Sequence, residues 1–290
     1  MYQRVYSSGV RNAKLLKTFQ RPAPHISPVV HLASSFSTSA PATSPSLTLY
    51  QYKICPFCCK TKSLLTYLSV PFSPVEVNPL SKKEFKGIEN VGETEEDKNY
   101  KKVPVAVFHG SDGDTRVNGS EDIVERVLAS SDLKLPKNFN SEDAKKWLTW
   151  CDSTLAVRIY PLLTDGFGSS LKAFSYLDSV ETFTPIERTT AKYVGSLAMW
   201  AAGGKIKKKY GIVDCEESLK EAVAEWGEEG LNAKAFNGGD SPNVADLGVY
   251  GVLRGLEDTG GAWFDGIVMG NEGVKGWYGR MKEEVGSLEP

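Results

Sequence analysis

The sequence predicts an α/β domain followed by an all-α domain. From Leu47 to about residue 132, short apolar strands alternate with short helical segments. From about residue 141 to residue 290, every long segment has apolar residues at helical spacing. The stretch between them, residues 133–140, contains proline and asparagine and predicts a linker. An apolar content of 41% with 24% charged residues predicts a globular chain that buries a core.

The elements of the first domain follow a recognisable order. The segment SLTLYQY predicts a strand that stops at a Cys-Pro pair, KTKSLLTYLSV predicts a helix, and FSPVEVNP predicts a second strand parallel to the first. Residues 82–100 are charged and predict a surface helix with a mobile insertion. VPVAVFHG and DGDTRVNG predict two short strands, and SEDIVERVLAS predicts a helix with Ser120 as its N-cap. The order β-α-β-α-β-β-α is typical of a thioredoxin-like domain.

The second domain is predicted to consist of helices alone. Its helical segments are SEDAKKWLTWCDSTLAVRIYPLL, PIERTTAKYVGSLAMWAAGGKIKKKY, CEESLKEAVAEWGEEGL, VADLGVYGVLRGLEDT and VKGWYGRMKEEV. The spacing of Asn243 and Asp246 predicts a capping box at the start of one helix. The aromatic residues Trp147, Trp150, Tyr160 and Tyr250 are predicted to lie in the core or to line an apolar pocket between the domains.

Residues 1–46 have the composition of an organelle transit peptide. They carry five lysines and arginines, whereas the first acidic residue of the chain is Glu76. A short amphipathic helix over residues 9–19 would suit mitochondrial import, and the segment SSFSTSAPATSPS would also suit a plastid. We expect mitochondrial targeting, with a plastid signal or a disordered tail as the alternatives.

Composition also excludes several classes of protein. A net charge of −2 gives no reason to expect nucleic acid as a partner. No window has the 18 or more apolar residues that a membrane span needs, so the chain is expected to be soluble or at most peripheral to a membrane. Five unevenly spaced cysteines do not form the pattern of a secreted disulfide framework and indicate a reducing compartment.

Three of the five cysteines lie in the segment KICPFCCK. Cys55 follows a strand and precedes a helix, where free backbone N–H groups and the helix dipole favour a thiolate with a lowered pKa. Pro56 suits the first helical position, and Cys58, one turn later, can resolve a mixed disulfide at Cys55. Cys59 is predicted to pack or to face solvent. Zinc is disfavoured, because two of the three histidines stand in residues 1–46.

Two further motifs suit a peptide ligand beside Cys55. A proline at the start of a strand, as in Val103-Pro104, is predicted to be cis and to leave the preceding backbone free to pair with an extended peptide. A plain trans proline is the alternative. Gly119-Ser120 at the start of a helix offers N–H groups and a hydroxyl to a carboxylate, or is a plain helix cap. Together these features predict a glutathione site around a reactive cysteine.

The chain resembles the membrane-associated prostaglandin E synthase type 2 family of the glutathione transferase superfamily. The resemblance rests on LTLYQYKICPFC, VEVNP, KVPV, AKYVGSLAMW and SPNVADLGVYGVLRGLE through GWYGRM, which span residues 47 to about 283. It implies a thioredoxin-like domain joined to a glutathione transferase helical domain. It also implies an isomerase that converts prostaglandin H2, a small apolar substrate, to prostaglandin E2, with bound glutathione, haem held by the glutathione sulfur, and a homodimer.

The resemblance assigns roles to individual residues. The matching catalytic group is Cys55, Tyr52 and Cys58. The glutathione contacts that it implies are Phe57, Val103, Pro104, Gly119 and Ser120. The family has an acid where this chain has Gly119, so the neighbouring Glu121 or Asp122 is expected to replace that acid as the contact for the glutathione amine. The charged stretch from Lys86 to Lys102 is also longer than in the family, and the amino-terminal segment has no hydrophobic anchor.

Two other functions remain open from the sequence. A glutaredoxin-like oxidoreductase would use Cys55 and Cys58 for disulfide exchange. A carrier of haem and glutathione would bind both without turnover.

Overall fold

A computed structural model describes residues 47–92, 94–129 and 133–288. A four-stranded mixed sheet with flanking helices is followed by a region made of helices, which confirms the predicted fold class. The residue bounds of the two domains and the linker remain a prediction. The amphipathic helix predicted at residues 9–19 lies outside the described residues. None of the described helices combines the length and the apolar character required to cross a membrane.

The sheet has the strand order β2-β1-β3-β4. The strands are β1 (Leu47–Gln51), β2 (Phe72–Glu76), β3 (Val105–Gly110) and β4 (Gly113–Asn118). Strands β1 and β2 are parallel, and both other pairs are antiparallel. Tyr50 near the end of β1 lies opposite Val105 at the start of β3, which lies opposite Asn118 at the end of β4. The segments that contain Cys55, Pro104 and Ser120 therefore meet at one end of the sheet.

Ten α-helices are described. They are α1 (Pro56–Tyr67), α2 (Glu95–Asn99), α3 (Ser120–Leu128), α4 (Glu142–Trp150), α5 (Ala156–Leu163), α6 (Phe167–Ala173), α7 (Pro185–Tyr210), α8 (Cys215–Glu225), α9 (Val244–Gly260) and α10 (Glu272–Val285). A π-helical segment, Cys151–Leu155, separates α4 from α5 where the sequence predicts one continuous helix. Helix α6 and the 3₁₀ segment after it, Phe174–Ser179, were not predicted, because they are short and rich in serine and glycine.

The charged segment 82–100 differs from its prediction. It forms a 3₁₀ helix, Lys83–Ile88, and the short helix α2, rather than one surface helix and a loose insertion. Its end is fixed to the sheet, because Arg116 of β4 donates from Nη2 to the Tyr100 carbonyl at 2.8 Å. The prediction of a mobile insertion was therefore wrong for the described part of this segment. Polar anchors of this kind leave no periodic signal in a sequence.

Helix α9 packs its glycine-bearing face directly on α1. The glycines on this face are Gly248, Gly251 and Gly255. A Cβ atom on Gly251 would lie 2.6 Å from both the Cys59 carbonyl oxygen and the Lys60 Cα atom, so only glycine allows this approach. Nearby, the buried Lys60 donates from Nζ to both carboxylate oxygens of Asp152 at 2.7 and 2.6 Å. These contacts join the helix that carries the cysteines to the helical region.

The capping box predicted at the start of α9 is confirmed. Asn243 Oδ1 accepts the backbone N–H of Asp246, and the Asp246 carboxylate accepts the backbone N–H of Asn243. The same buried carboxylate accepts the backbone N–H groups of Asn237 and Gly238 and the indole N–H of Trp277, at 2.8 to 3.0 Å. Asp246 is therefore the acceptor for four donors in the core, a larger role than that of a cap.

Candidate functional site

Cys55 is the N-cap of helix α1, and Pro56 occupies the first helical position, as the sequence predicts. The backbone N–H groups of Phe57 and Cys58 contribute to lowering the pKa of the Cys55 thiol. These are the free donors at the start of a helix, and they stabilise a negative charge on the sulfur. The local fold thus favours the thiolate form of Cys55.

The two cysteines of the CPFC motif have opposite acid–base properties. The side-chain hydrogen bond from Cys58 is the main cause that lowers the pKa of Cys55, while burial opposes the change. Burial raises the pKa of the Cys58 thiol well above its ordinary value. Cys58 is fully buried and Cys55 is partly exposed. Of the two thiols, that of Cys55 is therefore the more accessible and ionises more readily, and that of Cys58 holds its proton more tightly. Cys59 packs in the core and donates to the Lys53 carbonyl at 3.3 Å.

The two predicted peptide-binding motifs meet beside the cysteine loop. The Val103-Pro104 bond is cis, as predicted. The Gly119 N–H donates to the Pro104 carbonyl at 2.9 Å, which joins the two motifs. Ser120 is the first residue of α3, and the N-cap is Gly119, so the prediction of Ser120 as N-cap was wrong. The reason is the φ angle of +88° at Gly119, which glycine adopts without strain.

Tyr100 is an aromatic neighbour of this site that sequence reasoning did not identify. Its hydroxyl would lie 3.9 Å from a Cβ atom placed on Gly119. Burial raises the pKa of Tyr100, and the charges of Cys55 and Asp122 raise it further. The phenol therefore lies between the reactive thiol and the start of α3. Its position in the charged segment hid it from pattern analysis.

An apolar cavity of about 490 Å³ opens beside Cys55. From the first domain its lining includes Tyr52, Cys55, Phe57, Lys82, Lys102 and Val103, and from the helical region Tyr160, Phe174, Tyr176 and Met199. Tyr160 donates its hydroxyl hydrogen to the Met199 sulfur. Within the described part of the chain, the buried Tyr52 hydroxyl has no hydrogen-bond partner.

The cavity contains only part of the aromatic set predicted to line it. Tyr160 lines it, but Trp147 and Trp150 do not. Those two indoles pack against Trp226 in the helical core, with ring centroids 5.6 and 6.2 Å from it. Tyr250 is fully buried and packs against Tyr278. Of the two roles that the sequence leaves open for these aromatic residues, core packing is confirmed for Trp147, Trp150 and Tyr250, and pocket lining for Tyr160.

Glu76 is a titratable residue near the site that the sequence analysis did not single out. It ends β2, and its Oε1 atom accepts the backbone N–H of Lys53 at 3.0 Å. Burial is the main cause that raises its pKa to about 7. A signal was present, since Glu76 is the only charged residue of the segment FSPVEVNP, which runs parallel to the strand that leads to Cys55.

The raised pKa of Glu76 predicts a pH-dependent stability. A pKa of about 7 in the folded protein, against 4.5 in the unfolded chain, means that this group's contribution is fully present below pH 4.5 and is lost as the pH rises through 7. The free energy of unfolding of the wild type should therefore fall by about 3 kcal/mol as the pH rises, and we expect this fall to be absent in Glu76→Gln. Urea unfolding at pH 5 and pH 8 measures it. Glu84→Gln is the matched control, because Glu84 also accepts a backbone N–H, that of Asn78. Parallel pH curves for Glu76→Gln and wild type would contradict the prediction.

Among the described residues, no three histidine, cysteine, aspartate or glutamate side chains lie close enough together to hold a metal ion. His109 lies on β3, where it contacts Thr48 and Asp114.

Comparison with known proteins shows which proteins this chain is similar to. The family model for glutaredoxin matches residues 47–111. Prostaglandin E synthase 2 of Danio rerio is 31% identical, over 87% of this chain and 75% of that protein. Prostaglandin E synthase 2 of Mus musculus is 29% identical, over 84% of this chain and 71% of that protein.

Solved structures show the same fold. Poplar glutathione transferase F1 aligns with a TM-score of 0.52 at 14% identity, over 85% of this chain and 97% of its own. Glutathione S-transferase I with bound lactoylglutathione aligns with a TM-score of 0.53 at 16% identity, over 84% of this chain and 98% of its own. These structures show the fold, and the glutaredoxin match covers the segment that carries Cys55. At 31% identity over 75% of the Danio rerio protein, the chain belongs to the prostaglandin E synthase 2 family.

Proposed function

We propose that this enzyme isomerises an endoperoxide, converting prostaglandin H2 to prostaglandin E2 or acting on a related peroxide or electrophile. One observation carries the proposal: the low-pKa thiol of Cys55 lies in the wall of an apolar cavity of about 490 Å³. A cavity of this size and polarity suits a small apolar substrate. The relatives named prostaglandin E synthase 2 supply the reaction class.

The isomerisation needs an acid for one oxygen and removal of one hydrogen. The O–O bond breaks, and its electron pair stays on the oxygen that takes a proton. The carbon that bears the other oxygen loses a proton, and its C–H electron pair becomes the second bond of a carbonyl group. Tyr52 lines the cavity and is the proposed proton donor to an endoperoxide oxygen, and the polarised thiol of Cys55 assists the O–O cleavage. No net oxidation takes place.

Glutathione is proposed to lie along the end of the sheet beside Cys55. Val103 lies in the wall of the cavity, where its backbone would pair with the peptide, and Gly119 and Ser120 would present the start of α3 to a carboxylate. An acid at position 119 would be strained at a φ of +88°. Glu121 lies exposed in the first turn of α3 and is the proposed contact for the glutathione amine. Phe57 packs beside the peptide.

Haem is proposed as a second ligand of the same cavity. The residues present suit it in part: the walls are apolar, and Lys82, Lys101 and Lys102 lie at the rim as partners for propionate groups. The resemblance implies that the iron ligand would be the sulfur of bound glutathione. When bound, haem would supply an electrophilic iron or block the site.

The proposed function is tested with residues 47–290. Glutathione binding is measured by calorimetry, haem binding by its Soret band, and prostaglandin H2 turnover in the haem-free protein. Ser120→Ala is expected to weaken glutathione binding about tenfold, through loss of one hydrogen bond to a charged group. Ser141→Ala, which removes the cap of α4, is the matched control for helix destabilisation. Glutathione binding without turnover of any peroxide would overturn the proposed isomerase.

A glutaredoxin-like oxidoreductase is the second candidate, favoured by the glutaredoxin match over residues 47–111 and by the hydrogen bond between Cys58 and Cys55. It would reduce mixed disulfides with glutathione. Its signature is disulfide exchange that needs Cys58, in the absence of isomerase activity.

The enzyme is proposed to be a homodimer that pairs through α7. The side chains on the exposed apolar face of α7 are Ile186, Tyr193, Val194, Leu197 and Trp200. Antiparallel pairing of two α7 helices would cover this apolar face in both copies.

Leu197→Glu is expected to raise the dimer dissociation constant at least about 100-fold, because the pairing would bury a carboxylate in each copy. Sedimentation equilibrium measures the effect. Val213→Glu is the matched control, since Val213 is 93% exposed and lies outside α7. A monomeric wild type, or an unchanged dissociation constant in Leu197→Glu, would contradict pairing through this face.

We propose a mitochondrial location, with a plastid as the alternative, on the composition of residues 1–46. Fusion of these residues to a fluorescent protein tests it, and cytosolic fluorescence would count against both organelles.

A further inference from the structure

The thioether of Met199 belongs to the wall of the cavity that contains Cys55. Helix α7 contributes Gly195, Ala198, Met199 and Ala202 to this wall. Met199 is the only one of the four with a long side chain, and it is partly buried. Its sulfur-bearing side chain is therefore the main group that α7 offers to a molecule in the cavity.

The cavity side of α7 is separate from the exposed apolar face that is proposed to pair in a dimer. The four cavity residues of α7 recur at spacings of three and four positions, as residues on one side of a helix do. Leu197 and Trp200 of the exposed apolar face lie about half a turn away from them around the helix. Pairing through α7 would thus leave Met199 in the wall of the cavity.

Tyr160 of α5 connects the opposite helix to the Met199 sulfur. The Tyr160 hydroxyl donates a hydrogen bond to this sulfur, and both side chains line the cavity. A thioether is a weak acceptor, whereas oxidation to a sulfoxide adds a polar oxygen that accepts strongly. The wall therefore already contains a donor beside the position where an oxygen atom would be added to Met199.

We propose that Met199 is a modification site, at which an organic hydroperoxide that enters the cavity oxidises the thioether to a sulfoxide. The sulfur attacks the terminal oxygen of the hydroperoxide, so that an S–O bond forms and the O–O bond breaks. The sulfur loses two electrons and the peroxide gains them. The proton of the transferred oxygen passes to the departing alkoxide, which becomes an alcohol, and the Tyr160 hydroxyl donates to the oxygen that stays on the sulfur.

Oxidation of Met199 would change what the cavity can bind. The cavity wall is largely apolar, and a sulfoxide places a polar oxygen in it. An apolar ligand would have to cover this oxygen, which weakens binding because the ligand offers it no hydrogen bond. Met199 therefore makes the cavity sensitive to the peroxides that it admits. This inference goes beyond the proposed function, since it depends on the cavity and not on the thiol of Cys55.

The first test compares methionines within one protein. The full chain is treated with cumene hydroperoxide, an apolar peroxide, or with hydrogen peroxide, and peptide mass spectrometry gives the rate of sulfoxide formation at each methionine. Met269 is the internal reference, because it is also partly buried but lies outside the cavity lining. We expect the ratio of the Met199 rate to the Met269 rate to be at least about fivefold higher with cumene hydroperoxide than with hydrogen peroxide, because an apolar peroxide concentrates in an apolar cavity.

Tyr160→Phe tests the donor. It removes the hydroxyl that contacts the sulfur, so it should slow the oxidation of Met199 and leave that of Met269 unchanged. Thermal unfolding shows that the variant is folded under the conditions used. Equal rates at Met199 in wild type and Tyr160→Phe would show that the hydroxyl takes no part in the modification.

The second test measures the effect on binding, with the fluorescent apolar dye 1-anilinonaphthalene-8-sulfonate as the ligand. Treatment with cumene hydroperoxide should weaken dye binding by wild type about fivefold, and added glutathione should not restore it, because thiols reverse the early oxidation of cysteine but not a methionine sulfoxide. Met199→Leu, compared with its own untreated sample, should keep its affinity. Met269→Leu is the matched control and should lose affinity as wild type does.

The outcomes separate this inference from the proposed function. Equal rate ratios for the two peroxides, or an equal loss of dye binding in Met199→Leu and wild type, overturn Met199 as the modification site even if prostaglandin H2 is turned over. Selective oxidation of Met199 that weakens dye binding supports it even if prostaglandin H2 is not a substrate, in which case only the proposed isomerase fails.

Discussion

Replacing Cys55 with serine is expected to lower peroxide turnover by about 10³-fold or more. The reaction needs a polarised or ionised group at the start of α1, and a serine hydroxyl stays protonated at neutral pH. The backbone donors that lower the pKa of the Cys55 thiol remain in the variant, but the serine hydroxyl does not ionise at neutral pH. Turnover at saturating glutathione, compared with glutathione affinity, separates a loss of chemistry from a loss of binding.

Cys215→Ala is the control for this prediction, because Cys215 begins α8 and lies outside the cavity lining. Cys58→Ser distinguishes the two candidate functions: it should abolish disulfide exchange, whereas an isomerase that uses one thiol should keep measurable turnover. If Cys55→Ser retained wild-type turnover, the reactive thiol would be misassigned and the cavity would act without it.

Replacing Asp246 with alanine is expected to lower the free energy of unfolding by about 4 kcal/mol, a large fraction of the roughly 5–15 kcal/mol of a typical folded protein. The buried carboxylate accepts four hydrogen bonds, three from backbone N–H groups and one from the Trp277 indole at 2.9 Å. Alanine leaves all four donors without that acceptor in the core. Urea denaturation followed by tryptophan fluorescence measures the change.

Asp214→Ala is the matched control, because Asp214 is also a helix cap but accepts only the Glu217 N–H, at an exposed helix end. Its cost should be about 1 kcal/mol. Equal costs for the two variants would show that Asp246 acts as an ordinary cap rather than as the acceptor of a buried network.

Local chemistry explains which parts of the site could be predicted from sequence. The chain geometry around Cys55, the cis Val103-Pro104 bond and the capping box of Asn243 each follow from a few adjacent residues. For that reason they could be recognised without a structure. The alternation of strand and helix patterns predicts the fold class for the same reason.

Features that depend on distant residues could not be predicted. Tyr176 and Glu76 lie near each other in the structure although about 100 positions separate them in the sequence, and neither residue belongs to a periodic pattern that would indicate this. The indoles of Trp147 and Trp150 have the same helical spacing whether they face a cavity or the neighbouring Trp226. The order of the charged segment before Val103 could not be predicted, because the residues that anchor it, such as Arg116, belong to another strand.

The glycine face of α9 has a consequence for dissection of the protein. Because Gly251 brings the α9 backbone against Cys59 and Lys60, that side of α1 is covered by α9 and is not suited to contact with solvent. A glutaredoxin-like fragment cut from this chain would expose the apolar surface that α9 covers. It would also leave the Lys60 ammonium without its partner Asp152. The domain that carries Cys55 is therefore not expected to be stable on its own, and the two parts of the chain are expected to be inherited, expressed and unfolded together.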